Sequence, residues 1–218
     1  MLTDILLCVL VAVVAYLLGC ISTGTMISNA AGVDIRKVGS HNTGASNVLR
    51  VLGLKKGLVT FVGDFTKAIL ACLAGDLLLG NAFGVAGFGM MLGGLFVVVG
   101  HNWPAFFHFK GGKGVACSVA VLLYCDPLWG AVAIVLCIGV IALTRYISLG
   151  SMVMLLTYFI FGCVFRWGEW PTLAFRLILL VMCVWRHRAN ITRLLNGTEN
   201  KLGKRAEPAA AAPEAERQ

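Results

Sequence analysis

Hydrophobic and polar positions alternate along this chain in long blocks, with neither a helical nor a strand period. Apolar runs at residues 4–29, 57–79, 83–100, 114–125, 128–143, 149–165 and 171–186 are separated by short polar stretches. Several approach the ~20 residues that a helix needs to cross the hydrocarbon core. The pattern predicts an all-α, polytopic membrane protein with about seven transmembrane helices. The fourth run is the exception. It has 12 residues before Asp126-Pro127, enough for about 18 Å of helix. Either it is a half-helix packed inside the bundle, or the 104–113 loop dips into the membrane beside it.

Composition agrees with that reading. Of 218 residues, 59% are hydrophobic and only 13% charged, too few polar side chains to cover a soluble domain. The net charge of +8 is unevenly placed. With the N-terminus outside, the inner segments (30–56, 101–113, 144–148 and the tail, with Arg186 at its edge) hold 15 of the 18 Lys and Arg residues. Arg166 falls outside, and Lys67 and Arg176 lie within spans. This positive-inside asymmetry predicts an N-out, C-in topology. The basic charge faces lipid headgroups, and no nucleic-acid partner is expected. Eight scattered cysteines form no Cys-x-x-Cys and no Cys/His cluster, so they are expected to pack as small hydrophobes without a disulfide or metal. The first run lacks a basic start and a cleavage site, and reads as a retained span. Residues 1–200 are expected to form a single transmembrane domain, with 201–218 a disordered polar tail.

Four polar clusters interrupt the apolar background, all on the inner side. The first, Gly39-Ser-His-Asn-Thr-Gly-Ala-Ser-Asn-Val-Leu-Arg50, sets small hydroxyl and amide residues before an arginine that can grip a phosphate with paired hydrogen bonds. Its residues also suit an ordinary turn. The second, Gly100-His-Asn-Trp-Pro-Ala-Phe-Phe-His-Phe-Lys-Gly-Gly-Lys-Gly114, is not a Walker A sequence. It does place Lys110, Gly111, Gly112 and Lys113 before a helix start at Gly114, where free N–H groups favour an anion. The bland reading is a basic anchor with a glycine-rich turn, and His101 and His108 are candidates for catalysis or for simple hydrogen bonding. The third, Thr144-Arg-Tyr-Ile-Ser-Leu-Gly-Ser151, adds Arg145 and Ser148. In the fourth, residues 186–199, His187 and Asn190 share a helix face with Arg186 and Arg193 nearby; a juxtamembrane helix on anionic headgroups fits the same residues. Asp64 and Lys67, three apart inside the second span, suit an intrahelical pair, whether structural or functional.

The absences also narrow the chemistry. There is no Gly-x-Ser-x-Gly elbow, and Ser46, Phe106, Lys113 and Thr192 follow the four histidines at the fifth position, so His-x-x-x-x-Asp is missing. The inner segments offer many donors to anions and few general bases.

The four clusters, in this order, resemble the bacterial acyl-phosphate-dependent glycerol-3-phosphate acyltransferases (the PlsY family). Residues 39–50 meet that family's Gly-Ser-x-Asn-x-Gly-Ala-Thr/Ser-Asn-x-x-Arg pattern. Residues 100–116 meet its Gly-His-x-x-Pro-x-Phe-x-x-Phe-Lys-Gly-Gly-Lys-Gly-Val-Ala pattern, and 144–149 and 186–194 supply the other two. His41 stands where glycine is usual. Cys117 replaces a usual threonine, removing a hydroxyl that would be expected to touch phosphate. The resemblance covers the chain to about residue 200. It implies transfer of a fatty acyl group from acyl phosphate to the sn-1 hydroxyl of glycerol 3-phosphate, giving lysophosphatidic acid and phosphate for phospholipid synthesis. The setting would be the bacterial inner membrane with the site facing the cytoplasm. No metal or other cofactor is implied, and a link to the enzyme that produces acyl phosphate is a partner it allows.

Under that resemblance Ser40, Lys113, His187 and Asn190 are the candidate catalytic residues. Gly39, Asn42, Gly44, Asn47, Arg50, His101, Lys110, Gly111, Gly112, Gly114, Ser148 and Arg193 are the candidate substrate-binding residues. Glycerol 3-phosphate is expected near Lys113, His187 and Asn190, and acyl phosphate near Ser40 and the glycine turns. The base is either His187 or a substrate phosphate. The rival reading is a transporter of a phosphorylated metabolite or lipid, against which stand the absence of a repeat and the gathering of polar clusters at one face.

Overall fold

A computed structural model describes residues 1–203, and those residues are helical with no strand. Ten helices follow in order: α1 (Leu2–Cys20), α2 (Thr23–Ala30), α3 (Ala45–Leu52), α4 (Leu54–Leu79), α5 (Phe88–Asn102), α6 (Val115–Cys125), α7 (Pro127–Thr144), α8 (Ile147–Phe165), α9 (Trp170–Arg186) and α10 (Arg188–Leu195). Five stretches are long and apolar enough to cross a membrane: Leu2–Ala30, Leu54–Leu79, Phe88–Phe107, Pro127–Thr144 and Ile147–Phe165. α6, with 11 residues, and α9, with 17, are shorter. Most of the expected tail, from residue 204 on, lies outside the described residues.

The packing is inverted relative to a soluble protein. Leu2, Leu77 and Leu143 are exposed, while Ala68, Cys72, Ala120, Ala133 and Cys117 are sealed at the centre. In lipid an exposed leucine costs nothing, and helices gain by bringing small residues and backbones together. α4 is the hub, packed against α1, α3, α5 and α6, and α7, α8 and α9 continue the bundle beyond α6. A Cβ on Gly89 of α5 would run into the Gly75 backbone of α4, so this crossing requires glycine. α6 is the half-helix alternative: Ala116, Cys117, Ser118, Ala120, Val121 and Leu122 are buried inside the bundle.

Two expected elements differ. The first apolar run breaks at Ile21, which is extended, and Ser22 caps α2 by accepting from the Thr25 N–H at 3.4 Å. The break frees backbone carbonyls, and the ammonium of Lys67 takes two of them, Gly19 O at 3.1 Å and Ile21 O at 2.6 Å. Hydropathy cannot see this, because the residues at the break are no more polar than their neighbours. The polar 30–56 segment holds an eight-residue helix, α3, that runs almost directly into α4 through Gly53 at φ 88°.

Buried charges are paired. Asp64 and Lys67 make the intrahelical ion pair at 2.8 Å. At the C-terminus of α6 Arg176 reaches Asp126, donates to the Tyr158 carbonyl at 3.0 Å and lies over the Tyr158 ring at 4.1 Å. An unpaired guanidinium there would be strongly destabilising.

Candidate active site

The polar 31–44 segment is wound around one side chain. Asn47, fully buried at the start of α3, donates through Nδ2 toward the carbonyls of Ile35 (3.2 Å), Val38 (3.0 Å) and Asn42 (2.9 Å). Its Oδ1 accepts from the Ser40 N–H at 2.8 Å. Gly39, at φ 66°, passes so close that a Cβ would overlap Asn47 Oδ1. His41, which stands where glycine is usual, also adopts the left-handed backbone at φ 56°. Asn42 Oδ1 accepts from the Gly44 N–H at 2.8 Å and leads the chain into α3.

The glycine loop is fixed from two sides. Arg186, at the end of α9, donates through Nε to Gly112 O (2.9 Å) and through Nη2 to Gly111 O (2.8 Å) and Gly112 O (2.6 Å). The Gly112 N–H donates to His101 O at 3.0 Å, and a Cβ on Gly112 would overlap His101 Nε2. With its carbonyls held by Arg186, the loop directs Lys113 at α10, where Nζ donates to Asn190 Oδ1. Gly114, at φ 75°, turns the chain into α6.

These pieces enclose a cavity of about 430 Å³ between α3 and α4 on one side and α6, α7, α8 and the α9–α10 junction on the other. Ser40, Arg50, Lys113, Ser148, His187 and Asn190 supply its polar lining, in which hydrogen bonds join Lys113 to Asn190 and both Asn190 and Ser148 to Glu199. Leu54, Leu58, Phe61, Val119, Ile134, Ile138 and Ile141 supply its apolar lining. Of the residues singled out from sequence, Asn42, Gly44, His101 and Gly114 also line it. Gly39, Asn47, Gly111, Gly112 and Arg193 do not; they lie behind the walls as spacers, hydrogen-bond hubs or partners of lining groups. Lys110 is exposed and outside the cavity. Position 117 faces inward as well: the Cys117 thiol donates to Asp64 O at 3.3 Å and is sealed from the cavity, so a threonine there would not reach a ligand.

The Glycerol-3-phosphate acyltransferase family matches residues 9–197 of this chain. The chain belongs to that family. A curated glycerol-3-phosphate acyltransferase from Thermoanaerobacter sp. (strain X514) is 44% identical over 200 residues, covering 91% of this chain and 98% of its own length. The one from Clostridioides difficile (strain 630) is 43% identical over 204 residues, covering 91% and 97%. The crystal structure of PlsY (YgiH), described as an integral membrane glycerol 3-phosphate acyltransferase in its glycerol 3-phosphate form, superposes with a TM-score of 0.82 at 36% identity, over 90% of this chain and 96% of that one. The lysophosphatidic acid form gives 0.80 at 35% identity, with the same coverage. This chain is accordingly a membrane acyltransferase.

The acyltransferase's polar lining has a defined electrostatic order. His187 is buried, and Nδ1 lies 2.8 Å from Cys183 O. A carbonyl can only accept, so Nδ1 carries the proton and the neutral ring keeps its lone pair at Nε2. Burial, then the Lys113 ammonium, pushes the His187 pKa down to about 4. Burial, then Arg193, pushes Lys113 down to about 8. Sequence reasoning missed Glu199 as a site residue. Its Oε1 accepts from Ser148 Oγ (2.8 Å) and Asn190 Nδ2 (2.7 Å), and its Oε2 from Arg193 Nε (2.8 Å). Burial alone would raise its pKa, but the hydrogen bonds from Asn190, Ser148 and Arg193 hold it below the ordinary carboxylate value. One signal existed: Glu199 is the single acidic residue between Arg186 and Arg205.

Proposed function

We propose that the enzyme moves a fatty acyl group from acyl phosphate to the sn-1 hydroxyl of glycerol 3-phosphate, releasing lysophosphatidic acid and phosphate for phospholipid synthesis. The observation that carries this reading is the mixed lining of one cavity. A lysine, an arginine, hydroxyls and amides line it together with a set of apolar side chains. A phosphorylated head joined to a fatty chain matches both kinds of lining. The relatives' glycerol 3-phosphate and lysophosphatidic acid forms support the same substrate and product.

The chemistry asks little of the protein beyond placement and charge, because acyl phosphate is already an activated mixed anhydride. The glycerol hydroxyl oxygen attacks the acyl carbon, the bond from that carbon to the phosphate oxygen breaks, and the hydroxyl proton leaves with the departing phosphate. Lys113 and Asn190 hold glycerol 3-phosphate, Ser40 and the glycine turns at Gly44 and Gly114 hold acyl phosphate, and Arg50 and Ser148 complete the anion-binding lining. A histidine held at about 4 is a weak base. His187 therefore orients the hydroxyl by accepting at Nε2, while the leaving phosphate takes the proton.

The reading includes a topology. α9 and the half-helix α6, packed within the bundle, join the five longer stretches to make about seven transmembrane helices, with the N-terminus outside and the cavity's polar lining at the cytoplasmic face of a bacterial inner membrane. Residues 1–200 form one domain, and the enzyme that makes acyl phosphate is its upstream partner.

Purified protein in detergent, given acyl phosphate and glycerol 3-phosphate, is expected to release phosphate and lysophosphatidic acid in equal amounts with no membrane gradient. Coenzyme A and carrier-protein thioesters are expected to give none. Absence of release above background would remove the acyl-transfer reading and restore the transporter. A second outcome concerns pH. Lys113 loses its charge as pH rises through about 8, so kcat/KM for glycerol 3-phosphate is expected to fall about tenfold per pH unit above that value. The bound phosphate dianion stabilises the ammonium, so the limb in kcat lies at higher pH. A flat kcat/KM between about pH 7 and pH 10 would separate Lys113 from phosphate binding.

A further inference from the structure

The cavity wall contains a polar pair, Asp64 and His101, that phosphate binding does not use. Along α4 the lining face runs Leu54, Leu58, Phe61 and then Asp64, and His101 of α5 lines the cavity beside it. This is the border between the apolar walls and the loop that carries Lys113. In an acyl phosphate the carbonyl joins the fatty chain to the phosphate. A donor bound with its tail among the apolar walls and its phosphate among the cations sets its reacting carbon at this border.

His101 is 5% exposed, and its ring is fixed from behind. Nδ1 lies 3.1 Å from Lys67 Nζ and 3.5 Å from Asp64 Oδ1. An N–H on Nδ1 would point at an ammonium, so the neutral ring carries its lone pair there and its hydrogen on Nε2. A protonated ring has a hydrogen on Nε2 as well. Lys67 is itself held by Gly19 O and Ile21 O at the α1–α2 break and by Asp64. Among the described residues Nε2 has no hydrogen-bond partner, and it packs where Gly112 lacks a side chain. The chain thus presents a fixed, unpartnered N–H on a cavity-lining residue, beside the glycine loop that carries Lys113.

We propose that His101 is a catalytic residue whose Nε2–H donates to the acyl carbonyl oxygen and stabilises the oxyanion formed when the glycerol hydroxyl attacks. Asp64 and Lys67 are positioning residues that set its tautomer. The α6 N-terminus supplies a second donor, since Val115 and Ala116 line the same cavity and the first N–H groups of a helix have no intrahelical partner. A preorganised donor of this kind acts on the transition state and little on ground-state binding. The inference rests on the acyl-transfer reading, and one set of measurements separates the two.

Phosphate release is measured for the wild type, His101→Phe and His101→Gln, with melting in detergent recorded for each. The wild type must be active; if it releases no phosphate, the acyl-transfer reading fails, and this assignment with it. With an active wild type, His101→Phe is expected to lose about 100-fold in kcat, with KM for glycerol 3-phosphate within about threefold. His101→Gln, which keeps an N–H at similar reach, is expected to recover at least about tenfold of that loss. A kcat for His101→Phe within about threefold of wild type overturns the proposal, as does a raised KM with kcat intact, or equal loss in both variants. If His101→Phe does not fold, the wild type decides. The infrared carbonyl band of bound, 13C-labelled acyl phosphate is expected below its position in micelles without protein, and an unshifted band overturns the assignment.

Discussion

Replacing Lys113 by methionine is expected to lower kcat/KM for glycerol 3-phosphate by about 1,000-fold, while the protein melts at the same or a higher temperature near pH 7. The two halves have one cause. Lys113 is an ammonium set beside Arg193 and Arg186 in a poorly hydrated pocket, with its pKa depressed to about 8. Below that pH the folded protein carries a charge that costs more there than in the unfolded chain, so the lysine opposes folding at neutral pH. Above about 8 the folded-state group sheds its proton and the cost declines, disappearing above the unfolded-state value of about 10.5. Methionine keeps the length and apolar volume without the charge. Melting in detergent should therefore show the variant's advantage at pH 7 shrinking as pH rises toward 10, while phosphate release stays low throughout. A variant that melts lower and keeps its activity would make Lys113 a structural residue and refute both halves.

The second large effect is expected at Asn47, which touches no part of the cavity. Asn47→Leu fills similar space but leaves the carbonyls of Ile35 and Asn42 and the Ser40 N–H without their Asn47 partner, while the Val38 carbonyl keeps only the His41 N–H. Each buried group so stranded costs about 1–3 kcal/mol, less where water can enter, and a net loss of about 4 kcal/mol is expected. Because Ser40, Asn42 and Gly44 reach the cavity from that segment, phosphate release should fall to background, and the 31–44 segment should become open to protease. Asn47→Asp keeps the acceptor for Ser40 yet turns an anion toward three carbonyls, so it should fare no better. Activity within about threefold of wild type in either variant would show that the segment holds its shape without the hub.

The contrast between these two residues explains what the sequence could and could not reveal. Polar side chains gathered into short stretches between apolar runs are conspicuous in a membrane chain, so Ser40, Arg50, Lys113, His187 and Asn190 were legible, and they do line one cavity. Which of their neighbours face the cavity was illegible. Asn47 and Gly39 look like ligand residues in the motif, but Asn47 turns its amide inward to shape the loop and Gly39 is the spacer that lets the chain pass it. Asp64 and Lys67 were legible as a pair from their spacing. Their third member, His101, comes from another helix, and the carbonyls that anchor Lys67 exist only because the first apolar run breaks at Ile21. Glu199 escaped notice because its meaning depends on Ser148, which is 51 residues away.

The grip of Arg186 on Gly111 and Gly112 spans up to 75 residues of chain. During synthesis the loop bearing Lys113 therefore emerges and inserts long before the side chain that fixes its shape has been translated. Asn190 and Glu199 follow later still. A nascent chain paused after α8 therefore holds the apolar walls without the groups that shape and complete the anion-binding lining.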